Sequence, residues 1–194
     1  MALSQAKTYG GVGAILSLVG IFIPYVGVVA SIAGIILILL AVKIIANETK
    51  DSSIFSNYLV SFILRIVAVI VAIIAFISIF GLSYFAILKE ATNIHEMTIL
   101  KRLVVGIVVA LLIFWIFYVI AAVFLKRSYG SIAKYTKVDL FGTTGLLYLV
   151  GAATLIIIIG IFIIFIAEIL EIIAYFSLPD KLPGEKETEA TVQI

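Results

Sequence analysis

The chain has 194 residues, 64% hydrophobic and 12% charged, with a formal charge of +2 and no cysteine. A soluble domain carries about 45–50% apolar and about 25% charged residues, so this composition belongs in lipid, and the small net charge gives no reason to expect a nucleic-acid partner. The missing cysteine removes disulfides, thiolate metal sites, iron–sulfur clusters and thiol nucleophiles. The expected fold class is all-α, a polytopic transmembrane helical bundle whose first partner is the lipid bilayer.

In chain order, the first apolar region follows a single charge, Lys7, and no A-x-A site closes it, so a cleaved signal peptide is not expected. No charge occurs between Lys7 and Lys43. One helix over those 35 residues would be about 52 Å long, against a hydrocarbon core of about 30 Å. The break is written at Ile23-Pro24-Tyr25-Val26-Gly27. Pro24 disfavours helical geometry before it, and Gly27 permits a left-handed turn. The spans expected are 8–23 and 27–46.

A polar loop over 47–57 precedes a third span, 58–86, interrupted by one charge, Arg65. The loop from Lys89 to Arg102 contains the only histidine, His95, expected to be solvated. A fourth span covers 103–125, and Lys126 to Asp139 reads as another loop. The last apolar region, 140–178, is again too long for one straight span. Tyr9-Gly10-x-x-Gly13 reappears as Phe141-Gly142-x-x-Gly145 at an offset of 132, and Gly27 as Gly160 and Ala41 as Ala174 at 133. This repeat predicts a second short hairpin turning at Gly160, with spans 141–158 and 161–178, and six helices as three hairpins. The rival is one long tilted helix and five spans. The tail, 179–194, has two prolines and alternating charge and is expected to be disordered and cytoplasmic.

With six spans and the N-terminus inside, Lys7, Lys43, Lys50, Lys126, Arg127, Lys134, Lys137, Lys181 and Lys186 face the cytoplasm, leaving Lys89, Lys101 and Arg102 outside. That bias follows the positive-inside rule and predicts a multi-pass cell-membrane protein with both termini cytoplasmic.

Two carboxylates, Glu168 and Glu171, stand inside the last span, three residues apart and so on one helix face. A charge at mid-membrane costs about 2.5–3.5 kcal/mol on insertion scales and normally faces the bundle interior. Arg65 is the one basic residue within a span. Counted from Tyr58, and from Leu178 for Glu171, the two lie at equal depth, about 10 Å inside. A pair between Arg65 and Glu171 or Glu168 is therefore expected. It serves either as an architectural clip between the third and sixth helices or as a proton- or ion-coupled site.

Small residues recur at four-residue spacing, Gly10 with Ala14, Gly13 with Ser17, Gly27 with Ser31, Ala30 with Gly34 and Gly106 with Ala110, and permit close helix packing. Trp115, Tyr118, Tyr148 and Tyr175 read as ordinary membrane aromatics. No phosphate loop, zinc motif or Ser/His/Asp set is present, so no enzyme activity, cofactor or metal is expected.

Leu3-Ser4-Gln5-Ala6-Lys7-Thr8-Tyr9-Gly10-Gly11-Val12-Gly13 resembles the opening of a family of uncharacterised archaeal and bacterial integral membrane proteins, a domain of unknown function. The segments from Lys43 to Thr49, Ile54 to Tyr58 and Gly145 to Leu149 are similar to that family's pattern. Frequent isoleucine, as in Ile156 to Ile159, together with the missing cysteine, hints at a thermophilic archaeal membrane. The resemblance implies no activity and carries over no functional residues. Two functions fit what the residues show. One is a non-enzymatic accessory or scaffold subunit packing against a larger membrane complex, an archaeal respiratory oxidase assembly being one example. The other is a small oligomeric transporter or channel using the buried Arg/Glu cluster. The near absence of polar residues from the middles of the first, second and fourth helices favours the accessory role.

Overall fold

A computed structural model describes residues 2–89 and 96–183. His95, residues 184–194 and the expectations attached to them lie outside the described residues. Among those described, there are six α-helices and no strand: α1 (Ala2–Gly20), α2 (Val26–Glu48), α3 (Ser52–Lys89), α4 (Glu96–Thr136), α5 (Asp139–Thr154) and α6 (Ile159–Phe176). Five of them, all but α1, are long and apolar enough to cross a membrane. The first half of α1 is too rich in polar residues and glycine to qualify. Large apolar side chains are exposed along the outside of the bundle, among them Ile66, Val69, Ile70, Ile73 and Ile74 on α3. The polar residues Ser61, Ser128, Thr136, Thr144 and Glu171 are buried. Such an arrangement suits a solvent of hydrocarbon, and the chain is a multi-pass helical membrane protein.

The region after Asp139 is a hairpin rather than one long helix. α5 ends at Thr154, a single 3-10 turn covers Leu155–Ile157, and Ile158 takes φ 68° before α6 begins. The turn between α1 and α2 has the same device, with Tyr25 at φ 61°. Tyr25 and Ile158 are 133 residues apart, the offset of the glycine repeat. The left-handed residues are thus Tyr25 and Ile158, where Gly27 was expected to supply that freedom. Gly27 and Gly160 instead stand in the first turn of α2 and α6, so close to the carbonyls of Gly20 and Gly151 that no side chain fits between. Their missing Cβ atoms permit helix contact.

The helices also run past the apolar stretches that announced them. α4 continues through Lys126 to Thr136, where a loop was expected, because Leu125, Ser128, Tyr129, Ile132 and Thr136 form one buried face. The charges of that segment occupy its other face. α3 starts at Ser52, since Asp51 caps it: the Ser53 N–H donates to Asp51 Oδ1 at 2.9 Å. Ile54 and Tyr58 are buried one turn apart. The α2–α3 link thereby shrinks to residues 49–51, with Lys50 at φ 55°.

Each helix packs on its neighbours in sequence, and α6 returns to pack on α1. The six helices form a closed ring of three hairpins in chain order. The ring is plugged at the end that holds the start of α1 and the end of α6. There Leu3, Ile45, Ile54, Leu125, Phe141 and Tyr175 are buried to 2% exposure or less, and Leu182 packs against the same cluster. At the opposite end the turns are exposed, Tyr25 to 93%. Of the six seams, α2–α3 is the loosest.

Candidate functional site

Inside the ring lies a cavity of about 260 Å³ to which all six helices contribute. At about 30 Å³ per water, that is space for about eight waters or a small solute. Ser17 of α1 and Ile35 and Ile38 of α2 form one wall. Tyr58, Arg65, Tyr129 and Tyr148 bring a polar group from each of α3, α4 and α5, and α6 supplies both Glu168 and Glu171. The structure therefore places Arg65, Glu168 and Glu171 around a single space.

Glu171 is 6% exposed. Its two oxygens accept from different helices: the Tyr129 hydroxyl donates to Oε1 at 2.7 Å and the Tyr148 hydroxyl to Oε2 at 2.6 Å. Bonds this short to a carboxylate are strong, and they satisfy a group that is otherwise costly to bury. Arg65 does not reach it. No ion pair within 4.0 Å joins the Arg65 guanidinium to Glu168 or Glu171. The guanidinium lies over the rings of Tyr148 and Tyr118, 5.4 and 5.9 Å from their centroids. The expected direct pair is replaced by a relay in which Tyr148 carries the cation on its face and donates its hydroxyl to the carboxylate. The clip between α3 and α6 thus passes through α5.

Aromatic packing fixes this relay. Tyr129 stacks on Tyr58 at 6.1 Å, and Phe141 meets both Tyr129 and Tyr175 edge-on at 5.6 and 5.1 Å. Tyr129 is hidden in sequence because it sits among the charges of residues 126–139, which read as a loop, and Tyr148 because a membrane tyrosine reads as ordinary. The spacing Leu125, Tyr129, Ile132, Thr136 was the available signal, an apolar face continuing at helical intervals beneath polar residues.

The small-residue motifs have a different use. A methyl added at Gly13 would lie 2.7 Å from the Gly34 carbonyl oxygen, and the Ser31 hydroxyl donates to the Ser17 carbonyl at 3.4 Å. Gly10 packs under the Tyr175 ring, joining α1 to α6. These glycines hold the ring closed, away from the cavity. Gly106 and Ala110 are half-buried on α4.

A family described as protein of unknown function (DUF996) matches residues 30–169, which includes the cavity-lining residues from Ser31 to Glu168 and stops short of Glu171. The chain belongs to the DUF996 family. It is also 41% identical over 185 residues to the uncharacterized protein MJ1644 of Methanocaldococcus jannaschii, covering 95% of this chain and 98% of that one. No solved structure matches it.

The glycine repeat has a bearing on the site of this DUF996 chain. At the offset of 133, Glu168 and Glu171 stand where the first hairpin has Ile35 and Ile38, and all four line the same cavity. The two hairpins thus share a backbone plan and differ in the polarity of what they present to the centre.

Proposed function

We propose that the chain is a small non-enzymatic transport protein whose central cavity binds a proton or a small polar solute between Arg65, Glu168 and Glu171. One observation carries this: charges of both signs converge on a cavity that six apolar helices enclose, where each has a desolvation cost that structure alone does not require. Glu171 is engaged by two hydroxyls, whereas Glu168 accepts no hydrogen bond among the described residues and is the group free to exchange a proton or meet a solute. The termini lie on the cytoplasmic side in this proposal, because Lys7, Lys43, Lys50, Lys126, Arg127, Lys134 and Lys137 all gather at the plugged end.

Reconstitution in liposomes with a trapped pH dye tests it. Under an imposed potential, the wild type should acidify or alkalinise the lumen faster than empty liposomes, and Glu168→Gln should return the rate to the empty level. A wild-type rate equal to that of empty liposomes, with no uptake of small labelled solutes, would count against transport.

An accessory or oligomeric role is favoured by a separate feature. α3 and α4 have 38 and 41 residues, about 57 and 61 Å at 1.5 Å per residue. Along them Ile73, Ile74, Phe76, Ile77, Val105 and Val108 are exposed, an apolar flank long enough for a membrane neighbour. Purification in mild detergent with identification of stoichiometric partners tests this role; recovery of the bare monomer alone would argue against it.

A further inference from the structure

We propose that the seam between α2 and α3 is a lateral lipid site, which takes one membrane lipid with an anionic headgroup and holds that headgroup at Arg65 and Ser61. A groove of about 300 Å³ runs along one face of α3 from Tyr58 to Ile70, bordered by Ile35 of α2. Those residues span about 18 Å at 1.5 Å per residue, slightly more than one leaflet's half of a core about 30 Å thick.

The polarity of the groove changes along its length. Tyr58, Ser61 and Arg65 stand toward the plugged end, and Ile66, Val69 and Ile70, each more than 40% exposed, stand toward the middle of the bundle. A lipid of the leaflet at the plugged end has its head and tail in that same order. Two polar groups lack partners in the groove. The Ser61 hydroxyl is 99% buried, the residue being 1% exposed, yet makes no hydrogen bond, not even to its own helix. Arg65, one turn further on, has aromatic faces beneath it and no carboxylate within 4.0 Å among the described residues. An anionic oxygen between them would accept from both, and the fork of the guanidinium suits a phosphate. Glu171 does not compete for the cation, since both its oxygens already accept from tyrosines. The loosest seam of the ring is the one that admits the chain from the side. Arg65 and Tyr58 border both the groove and the central cavity, whereas Val69 lines the groove alone, so a change at Val69 tests lipid binding without touching the cavity.

The test is native mass spectrometry of the delipidated full chain, titrated with dioleoyl phosphatidylglycerol and, separately, with zwitterionic dioleoyl phosphatidylcholine. The wild type should retain one phosphatidylglycerol, and Arg65→Gln should weaken that adduct at least about tenfold, the loss expected of a charged hydrogen bond. Arg65→Lys should keep most of it. Val69→Trp, which fills the groove with Arg65 in place, should weaken it too and decides the matter if Arg65→Gln does not fold. Lys126→Gln with Arg127→Gln should leave it unchanged. An adduct equally strong in Arg65→Gln, undiminished in Val69→Trp, or lost only with Lys126 and Arg127, would overturn the proposal.

Discussion

Hydroxyl donors and an aromatic-borne cation make Glu171 tolerable, and the cost of removing each is separable. Tyr148→Phe deletes one donor and little else, leaving a buried carboxylate oxygen without a partner, at a cost of about 1–3 kcal/mol. Thermal unfolding in detergent should register this as a lowered Tm; an unchanged Tm would mean that the 2.6 Å bond contributes nothing to stability. Tyr129→Phe should behave alike, and because the two donors engage the two oxygens of one carboxylate their effects should not add. At the surface, hydrogen bonds from Ser53 hold the Asp51 carboxyl below its ordinary value, helped by Tyr135 and Lys134 nearby. A depressed folded-state value means that Asp51 stabilises the protein above the unfolded carboxylate range, near pH 4, and loses that effect as the pH falls through the folded value. Asp51→Ala should therefore lower stability by about 1 kcal/mol at pH 7, with the difference from wild type shrinking in acid. A difference that grew on acidification would refute the cap.

Among the helices, glycine separates contacts that tolerate a methyl from those that do not. A Cβ at Gly34 would lie 2.6 Å from Ser17 Oγ and 2.7 Å from the Ser17 backbone nitrogen, so Gly34→Ala should force α1 and α2 apart at about 1–3 kcal/mol. At Gly142 the nearest contact would be 3.7 Å away, to Ala133 Cβ. Gly142→Ala should be neutral or stabilise by up to about 1 kcal/mol through helix propensity. Equal losses of Tm in the two variants would show that α1–α2 contact does not depend on the missing side chain. Much of this level was legible in sequence. Pro24 and the offset glycines announced two short hairpins because a charge-free run longer than the bilayer has to turn. What was hidden were contacts that side-chain chemistry alone does not reveal. Lys126, Arg127 and Lys134 mask the buried face of α4, and Tyr148 is recognisable as a ligand of Glu171 only after α5 and α6 are folded back on each other.

For the whole molecule, six helices that run in alternate directions place the start of α1 and the end of α6 on one side. The chain has no cysteine of its own, so single cysteines report sidedness directly. Ser4→Cys and Ser177→Cys should be labelled from one face of sealed vesicles by an impermeant maleimide, and Tyr25→Cys and Ile157→Cys from the other. Labelling of Ile157→Cys from the same face as Ser177→Cys would contradict the α5–α6 hairpin. The contact of α6 with α1 has one more consequence. A ring whose main seams all join helices adjacent in order has no intrinsic first member, and the polypeptide is close to a circle cut at the α6–α1 seam. Joining the ends of α6 and α1 with a short linker and opening the chain at residues 137–138 should yield a permuted protein with the same six seams, and with Tyr129 and Tyr148 meeting Glu171 from opposite ends of the new sequence.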